Sequence, residues 1–174
     1  PTFTAHTITT SAFFASSVFA ADIDNDHDLD VLSASYLDNK IAWYENNGSQ
    51  SFTPHTITTG TSGASCVFAA DIDGDGDLDV LSTSRADNKI AWYENDLLDP
   101  GKDPLTAPTF TPHPITTSAA LATSVFAADV DGDGDTDVLS ASEGDDTIAW
   151  YENDGSENFT SHTIAITADG ALSV

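Results

Sequence analysis

The chain has 174 residues, 40% of them hydrophobic, with 29 acidic residues against 4 basic ones and a formal net charge of −25. One ordinary domain with a packed core is within its means. The charge excludes nucleic acid and anionic membrane surfaces as partners, and no apolar run reaches the ~20 residues that a membrane-spanning helix needs.

In chain order, residues 1–16 carry "FTAHTIT", a Thr-rich run that predicts a strand over 2–9. "SVFAA" (17–21) is short and apolar. It leads into "DIDNDHDLD" (22–30), where aspartates stand on alternate positions. "DVLSAS" (30–35) is rich in β-formers, "DNK" (38–40) has turn chemistry, and "IAWYEN" (41–46) is a third apolar run. "NGSQ" (47–50) turns the chain into "SFTPHTITT" (51–59). The same order recurs twice, with "DIDGDGDLD" at 71–79 and "DVDGDGDTD" at 129–137. Trp43, Trp92 and Trp150 each follow the first Asp of their phrase by 21 residues, and His6, His55, His113 and His162 recur at intervals of 49, 58 and 49. The longer interval comes from one insertion, "DLLDPGKDPLTAPT" (96–109), which its three prolines mark as a surface loop.

No stretch keeps a 3.6-residue period, so the fold is expected to be all-β. Four short strands per unit of roughly 50 residues is the size of a propeller blade. The expected architecture is three tandem four-stranded antiparallel blades of a β-propeller-like array. Residues 1–16 are expected as the leading fourth strand of a preceding blade, 17–59 as blade 1, 60–117 as blade 2 with its 96–109 loop, 118–167 as blade 3, and 168–174 as the start of a further blade. "VFAA" and "IAWY" are apolar on both parities, as strands packed on both faces must be. Trp43, Trp92 and Trp150 are therefore expected between blades, against the sharper alternative of a sugar-stacking platform. The histidines are expected as structural hydrogen-bonding residues, because equivalent positions in successive blades lie too far apart to share a metal. Cys66 has no second cysteine to pair with and takes the place of Ser17 and Ser124, as a small packing residue. "NGS" at Asn47 and "NFT" at Asn158 match the glycosylation acceptor pattern.

Fifteen of the 29 acids lie in the three aspartate phrases. Alternating oxygen ligands suit a hard cation. In D-x-D-x-D-G-x-x-D, carboxylates at positions 1, 3 and 5 converge, a glycine at 6 permits the turn, and a carbonyl at 7 and a carboxylate at 9 complete the shell. The candidate ligands are Asp22, Asp24, Asp26, Asp28 and Asp30 in the first loop. They are Asp71, Asp73, Asp75, Asp77 and Asp79 in the second, and Asp129, Asp131, Asp133, Asp135 and Asp137 in the third. Positions 28, 77 and 135 enter through their carbonyls. One Ca²⁺ per loop, three in all, is the expected occupancy; Mg²⁺ demands a stricter octahedron, and no His or Cys recurs at ligand positions to suit zinc or copper. His27 stands where the other loops have glycine, which makes that site the weakest expected. An EF-hand is excluded, since position 12 is Ser33, Ser82 or Ser140 and the flanks are strand formers.

"VFAADIDGDGDLDVLS", "DNKIAWYEN" and "FTPHTIT" resemble FG-GAP/VCBS-type repeats, related to the calcium-binding blades of integrin α-subunit propellers. The resemblance covers essentially the whole chain. It implies an extracellular β-propeller with Ca²⁺ in the loop between strands 1 and 2 of each blade. The "FG…GAP" words themselves are absent, and with them any ground for integrin-type ligand recognition.

No nucleophile–base pair, phosphate loop or catalytic metal site stands out, so no enzymatic activity is expected. Three functions remain open: an extracellular structural or adhesive module, as a subunit or segment of a larger propeller or surface filament; a lectin holding sugar between blades; and a non-catalytic propeller of a larger secreted enzyme. The expected partners are further copies or further blades of the same protein, with glycans or extracellular proteins as alternatives. The chain opens inside a repeat, as a mature or excised piece would. Its first 18 residues align with its last 18, and three blades are too few to close a ring. An isolated monomer is therefore not expected.

Overall fold

The computed structural model describes residues 2–103 and 106–174; Pro1, and Pro104 and Leu105 within the 96–109 insertion, lie outside the described residues. Twelve strands follow in chain order. The first four are β1 (Ala15–Ala21), β2 (Asp30–Ser35), β3 (Lys40–Asn46) and β4 (Phe52–Thr58). The next four are β5 (Ala64–Ala70), β6 (Asp79–Ser84), β7 (Lys89–Asn95) and β8 (Phe110–Thr116). The last four are β9 (Ala122–Ala128), β10 (Asp137–Ser142), β11 (Thr147–Asn153) and β12 (Phe159–Ala165). They form three four-stranded sheets in sequential order, β1-β2-β3-β4, β5-β6-β7-β8 and β9-β10-β11-β12, with every pairing antiparallel. Among the described residues there is no helix, and so none long and apolar enough to cross a membrane.

Residues 2–9, expected as a strand, run without strand pairing. The physical reason is the missing partner. β4, β8 and β12 are each zipped to the third strand of their own blade, and the opening run has no such strand beside it.

The sheets stack face on face, and the core lies between them. Ile23, Leu32, Ile41 and Trp43 of the first blade pack against Ala64, Val67, Val80 and Tyr93 of the second. Ile72, Leu81, Ile90 and Trp92 then meet Ala122, Val125, Val138 and Tyr151 of the third in the same way. Trp43 and Trp92 are buried between blades; Trp150 is only partly buried. Each tryptophan stacks on the cross-strand histidine of its own blade, His55, His113 or His162, at ring-centroid distances of 4.5, 4.6 and 4.6 Å. Each histidine's Nε2 in turn lies 2.7, 2.7 and 2.6 Å from Oε2 of Glu45, Glu94 and Glu152. The recurring histidines are thus braces between "IAWYE" and the outer strand. Phe19, Phe68 and Phe126 form a ladder across the innermost strands, with centroids 4.6 and 5.0 Å apart.

The turn between the second and third strands of each blade latches the blade that follows. Asn39, Asn88 and Asp146 sit there at φ of 55°, 56° and 54°, a left-handed conformation that Asn and Asp tolerate better than other side chains. The Asn39 Oδ1 accepts from Gly63 N–H at 2.9 Å, Asn88 Oδ1 from Leu121 N–H at 3.0 Å, and Asp146 Oδ1 from Gly170 N–H at 3.0 Å. Innermost-strand hydroxyls add a second tie. Ser16 donates to the Ala64 carbonyl at 2.8 Å, Ser65 to Ala122 at 2.8 Å, and Thr123 to Ala171 at 2.9 Å.

Asn88→Ala loses both the side-chain latch and the tolerance for positive φ, an expected cost of roughly 1–2 kcal/mol. Asn88→Gly keeps the backbone and loses only the latch, so about half that cost is expected. Denaturant unfolding at fixed divalent-ion concentration checks the order; equal losses would show that backbone strain at residue 88 plays no part.

Candidate metal centre

Each aspartate phrase joins the first two strands of its blade, and its own side chains wind it. In the first loop Asp24 Oδ1 accepts from Asp26 N–H at 3.2 Å and Asp26 Oδ1 from Asp28 N–H at 2.8 Å. Asp22 Oδ2 reaches across to His27 N–H at 3.0 Å. The other loops repeat the bonds at positions 3 and 5, while Asp71 and Asp129 accept from Gly74 and Gly132 N–H, two positions earlier than in the first loop, at 2.8 and 2.7 Å. Short aspartate side chains compete well for nearby backbone donors, and the alternation places one at every other step.

The ninth position is a clamp. Asp30 accepts from Ile23 N–H at 3.0 Å through one oxygen and from Asn46 N–H at 2.7 Å through the other. Asp79 does so from Ile72 and Asn95 at 2.9 and 2.8 Å, and Asp137 from Val130 and Asn153 at 2.9 and 2.8 Å. All three carboxylates are buried. Burial pushes the Asp79 carboxyl up to about 8 and Asp30 up to about 6, against the lowering effect of those backbone donors.

The structure brings together positions 1, 3 and 9. Asp22, Asp24 and Asp30 place one oxygen each within 4.8 Å of one another, as do Asp71, Asp73 and Asp79, and Asp129, Asp131 and Asp137. Position 5, occupied by Asp26, Asp75 and Asp133, is outside these triads and caps the N–H of position 7. Position 7 was expected to offer its carbonyl; its side chain leans away toward the β3–β4 turn. A Cβ on Gly48 or Gly155 would strike the carboxylate of Asp28 or Asp135. In the second blade, where the insertion replaces that turn, Asp77 accepts from Leu98 N–H at 2.9 Å instead. Burial raises this carboxyl also to about 6.

The donor set fits a hard cation. All the gathered atoms are carboxylate oxygens, and Oδ1 of Asp22 is buried without a hydrogen-bond partner, a costly position for a carboxylate unless a cation meets it. His27 sits at φ 74° and Asn25 at φ 59°, where the other loops have Gly76, Gly134, Gly74 and Gly132 at φ between 80° and 103°. Two positions, not one, therefore require left-handed backbone.

The asparagine that closes "IAWYEN" belongs to the site and was not singled out from the sequence. Asn95 Nδ2 donates to the Leu78 carbonyl at 3.0 Å and to the Ile23 carbonyl of the preceding blade's loop at 3.1 Å. Asn153 does the same to Thr136 at 3.2 Å and Ile72 at 3.0 Å. Loops 22–30 and 71–79 are thus each held by the blade that follows. The only signal was the recurrence of "YEN" itself. Asn47 and Asn158 are exposed beside the loops, in the turns before β4 and β12.

A family model described as FG-GAP-like repeat matches residues 22–82, 71–140 and 129–174. Among solved structures, an Agrocybe aegerita lectin, described as recognising non-reducing terminal N-acetylglucosamine, superposes with a TM-score of 0.56 at 19% identity over 87% of this chain. This chain spans 38% of the lectin's length, and at that identity the likeness is one of fold. No curated protein matches the sequence.

Without metal, stability should be fullest below about pH 4, where Asp79 is protonated in both folded and unfolded chains. It should decline as pH rises through about 8, since the unfolded carboxyl ionises freely while the folded one must bury its charge. Melting in chelator between about pH 5 and 8.5 tests this; a midpoint that climbs across the range contradicts it. His27→Gly should raise the metal affinity of loop 22–30 about threefold to fivefold by relieving ~1 kcal/mol of backbone strain. Asn25→Gly should change it less, because Asn tolerates the conformation. Calorimetric titration of the two variants gives the order, and an Asn25→Gly effect equal to that of His27→Gly would remove the argument.

Proposed function

The chain belongs to the FG-GAP-like repeat family, and from that premise we propose that it is a calcium-binding structural and adhesive module that works outside the cell, without catalysis. The observation that carries this is the coupling of the first two aspartate triads to the blade interfaces that follow them. Residue 2 of the first two loops is buried in the neighbouring blade's core, and its carbonyl is bound by that blade's asparagine. A bound Ca²⁺ supplies compensating charge to the triad. The chain's own residues do the rest. Asp22, Asp71 and Asp129 hold the loop's turn, Asp30, Asp79 and Asp137 tie it to the third strand, and Asn95 and Asn153 carry its position to the next blade. The exposed loops and turns of the stacked blades are the surface such a module would offer to a partner.

Extracellular calcium modules work at roughly 10⁻⁴–10⁻³ M, which suits loops open to solvent at positions 4 to 6. A ligand that binds only the folded state adds about 2.7 kcal/mol per site at 100 times its Kd. Melting should drop sharply in chelator and recover with millimolar Ca²⁺, and Mg²⁺ should restore less. A melting curve unchanged by chelator would sink the proposal.

One observation favours a second reading, glycan binding. A cleft of about 310 Å³ between the first two blades is lined by Pro112, Pro114, Thr58 and Lys89 over the buried Tyr93. A mostly apolar cleft with a few polar groups at hand is the usual form of a small-ligand site. A glycan array on the Ca²⁺-loaded chain separates the two readings.

A further inference from the structure

The outermost strand of each blade is paired on one side and open on the other. β4, β8 and β12 keep their contacts with the third strand of their own blade. β4 and β8 each have a blade after them, and that blade packs on the face of the sheet and leaves the outer edge free. An open edge presents backbone N–H and C=O groups with which another strand can pair. The register says which residues present them. Pro54 stands opposite Tyr44, and Pro112 and Pro114 stand opposite Tyr93 and Ala91. Proline has no N–H to give, so it is accommodated where the backbone donor points away from the sheet. The outward positions are therefore 52, 54 and 56 in β4 and 110, 112 and 114 in β8. By the same register they are Phe159, Ser161 and Thr163 in β12, opposite Asn153, Tyr151 and Ala149.

The three edges differ. Pro54 splits the outward donors of β4 into Phe52 and Thr56, and Pro112 and Pro114 leave β8 with Phe110 alone. β12 has no proline, and Phe159, Ser161 and Thr163 each carry an N–H and a carbonyl turned away from β11. Among the described residues none of the three bonds to backbone outside its own sheet, and Ser161 and Thr163 are exposed. No Asp, Glu, Lys or Arg stands on β12. The bulge at Ile164 ends the regular ladder, so the open stretch is Phe159–Thr163. Proline and charge are two means by which native sheets blunt an edge; β4 and β8 use the first, and β12 uses neither. The turns leading into these strands differ too. "NGSQ" (47–50) before β4 is neutral, whereas "DGSE" (154–157) before β12 puts acids at both of the corresponding amide positions. Asp154 and Glu157 are exposed beside the end of the open stretch.

We propose that the edge of β12 is a docking site for an extended cationic segment of a partner protein, which pairs antiparallel with Phe159–Thr163 and sets its lysines or arginines against Asp154 and Glu157. The main-chain ladder supplies the affinity of such an added strand, and the side chains around it supply the selectivity. Antiparallel pairing continues the order of the sheet. It puts the partner's C-terminal flank beside the 154–157 turn, so the basic residues belong after the paired stretch. Charge decides between occupants: a net charge of −25 attracts a cationic segment and repels a second copy of the same chain. The inference gives the adhesive role proposed above a partner chemistry, and in that respect rests on it. The edge itself depends neither on the bound cation nor on how many blades the array holds, since a blade seated on the face of this sheet leaves its edge as open as those of β4 and β8.

The probe is a labelled peptide of alternating threonine and valine with a lysine-rich C-terminal tail. Its fluorescence anisotropy against the full chain, in millimolar Ca²⁺ at physiological salt, should show saturable binding. Ser161→Pro puts into β12 the residue that β4 and β8 already carry at that position, so the melting curve should hold while binding falls about tenfold or more. The same peptide N-methylated on the residues that face β12 keeps its charge and should not bind, which tests pairing without any variant. Asp154→Asn with Glu157→Gln rebuilds the neutral turn of the first blade and should weaken binding roughly threefold to tenfold. Moving the lysines to the peptide's N-terminal end should weaken it by as much, and Thr56→Pro on β4 should change nothing. Binding indifferent to both Ser161→Pro and N-methylation is attraction to a charged surface and overturns the proposal, as does no binding at all. Self-association that Ser161→Pro abolishes, with no peptide bound, gives the edge to a second copy and overturns it too. Peptide binding retained in chelator, with melting unmoved by Ca²⁺, would leave this inference standing and remove the calcium reading; Ca²⁺-dependent melting with no peptide bound does the reverse.

Discussion

Each blade turns on one buried carboxylate. Asp30, Asp79 and Asp137 spend both oxygens on backbone N–H groups, one at the head of the aspartate loop and one at the end of the third strand. A buried charge left unpaired is expensive; the N–H donors offset part of that cost, and at Asp30 and Asp79 burial still outweighs them. The clamp fixes the loop's two ends in register with the sheet, and this register places positions 1 and 3 beside position 9. The triads therefore follow from a backbone problem solved first. The same carboxylate that closes the loop also raises the local negative charge, and with Asp22 and Asp24, or their equivalents, it leaves a concentration of oxygen atoms that favours a cation.

The blades depend on one another in the manner of repeat proteins, where each unit is stabilised mainly by its neighbours. A single four-stranded sheet with apolar residues on both faces has no folded state of its own to speak of. The latches at Asn39, Asn88 and Asp146 and the asparagines 95 and 153 are directional: every one of them ties a blade to the one before or after it, never to itself alone. The insertion at 96–109 is compatible with this arrangement because it leaves from the outer edge. Its base is closed by Asp96, which accepts from Thr109 N–H and pairs with Lys102, both at 2.7 Å.

Much of this was legible in the sequence, because the repeat reports the blade. Strand bounds followed from "VFAA", "DVLS", "IAWY" and "FTPH", and the apolar parity on both faces pointed to stacked sheets. The burial of Trp43 and Trp92 followed too. Three things were not legible, each for a physical reason. The "FTAHTIT" of residues 3–9 has strand composition, yet strands form by pairing, and composition does not say whether a partner is present. Position 7 of the loop was expected to act through its carbonyl, and the second task of its side chain, bracing a turn some twenty residues away, is a contact that spacing alone cannot reveal. Asn95 looked like the end of a strand, and its role appears only when the preceding blade's loop is brought against it. Repetition reports what each unit is, and is silent on which side of it the neighbour stands.

The three loops are unequal for two reasons that oppose each other. Loop 22–30 places Asn25 and His27 in left-handed backbone, a strain on the order of 1 kcal/mol for the histidine. Against this, its Ile23 is enclosed by the second blade and its carbonyl is held by Asn95, a hydrogen bond contributing about 1 kcal/mol beyond the apolar burial. Loop 129–137 has the reverse arrangement, with glycine at both left-handed positions and Val130 left half-exposed. Only loop 71–79 has both advantages: Gly74 and Gly76 carry the turn, and Ile72 is enclosed and held by Asn153. If a cation stiffens a loop, it stiffens the surface on which the next blade docks, and by linkage the docked blade strengthens the site in return. A successor seated on blade 3 would therefore turn loop 129–137 from a well-shaped but unsupported loop into the equal of loop 71–79, while loop 22–30, already supported, would keep the handicap of its histidine.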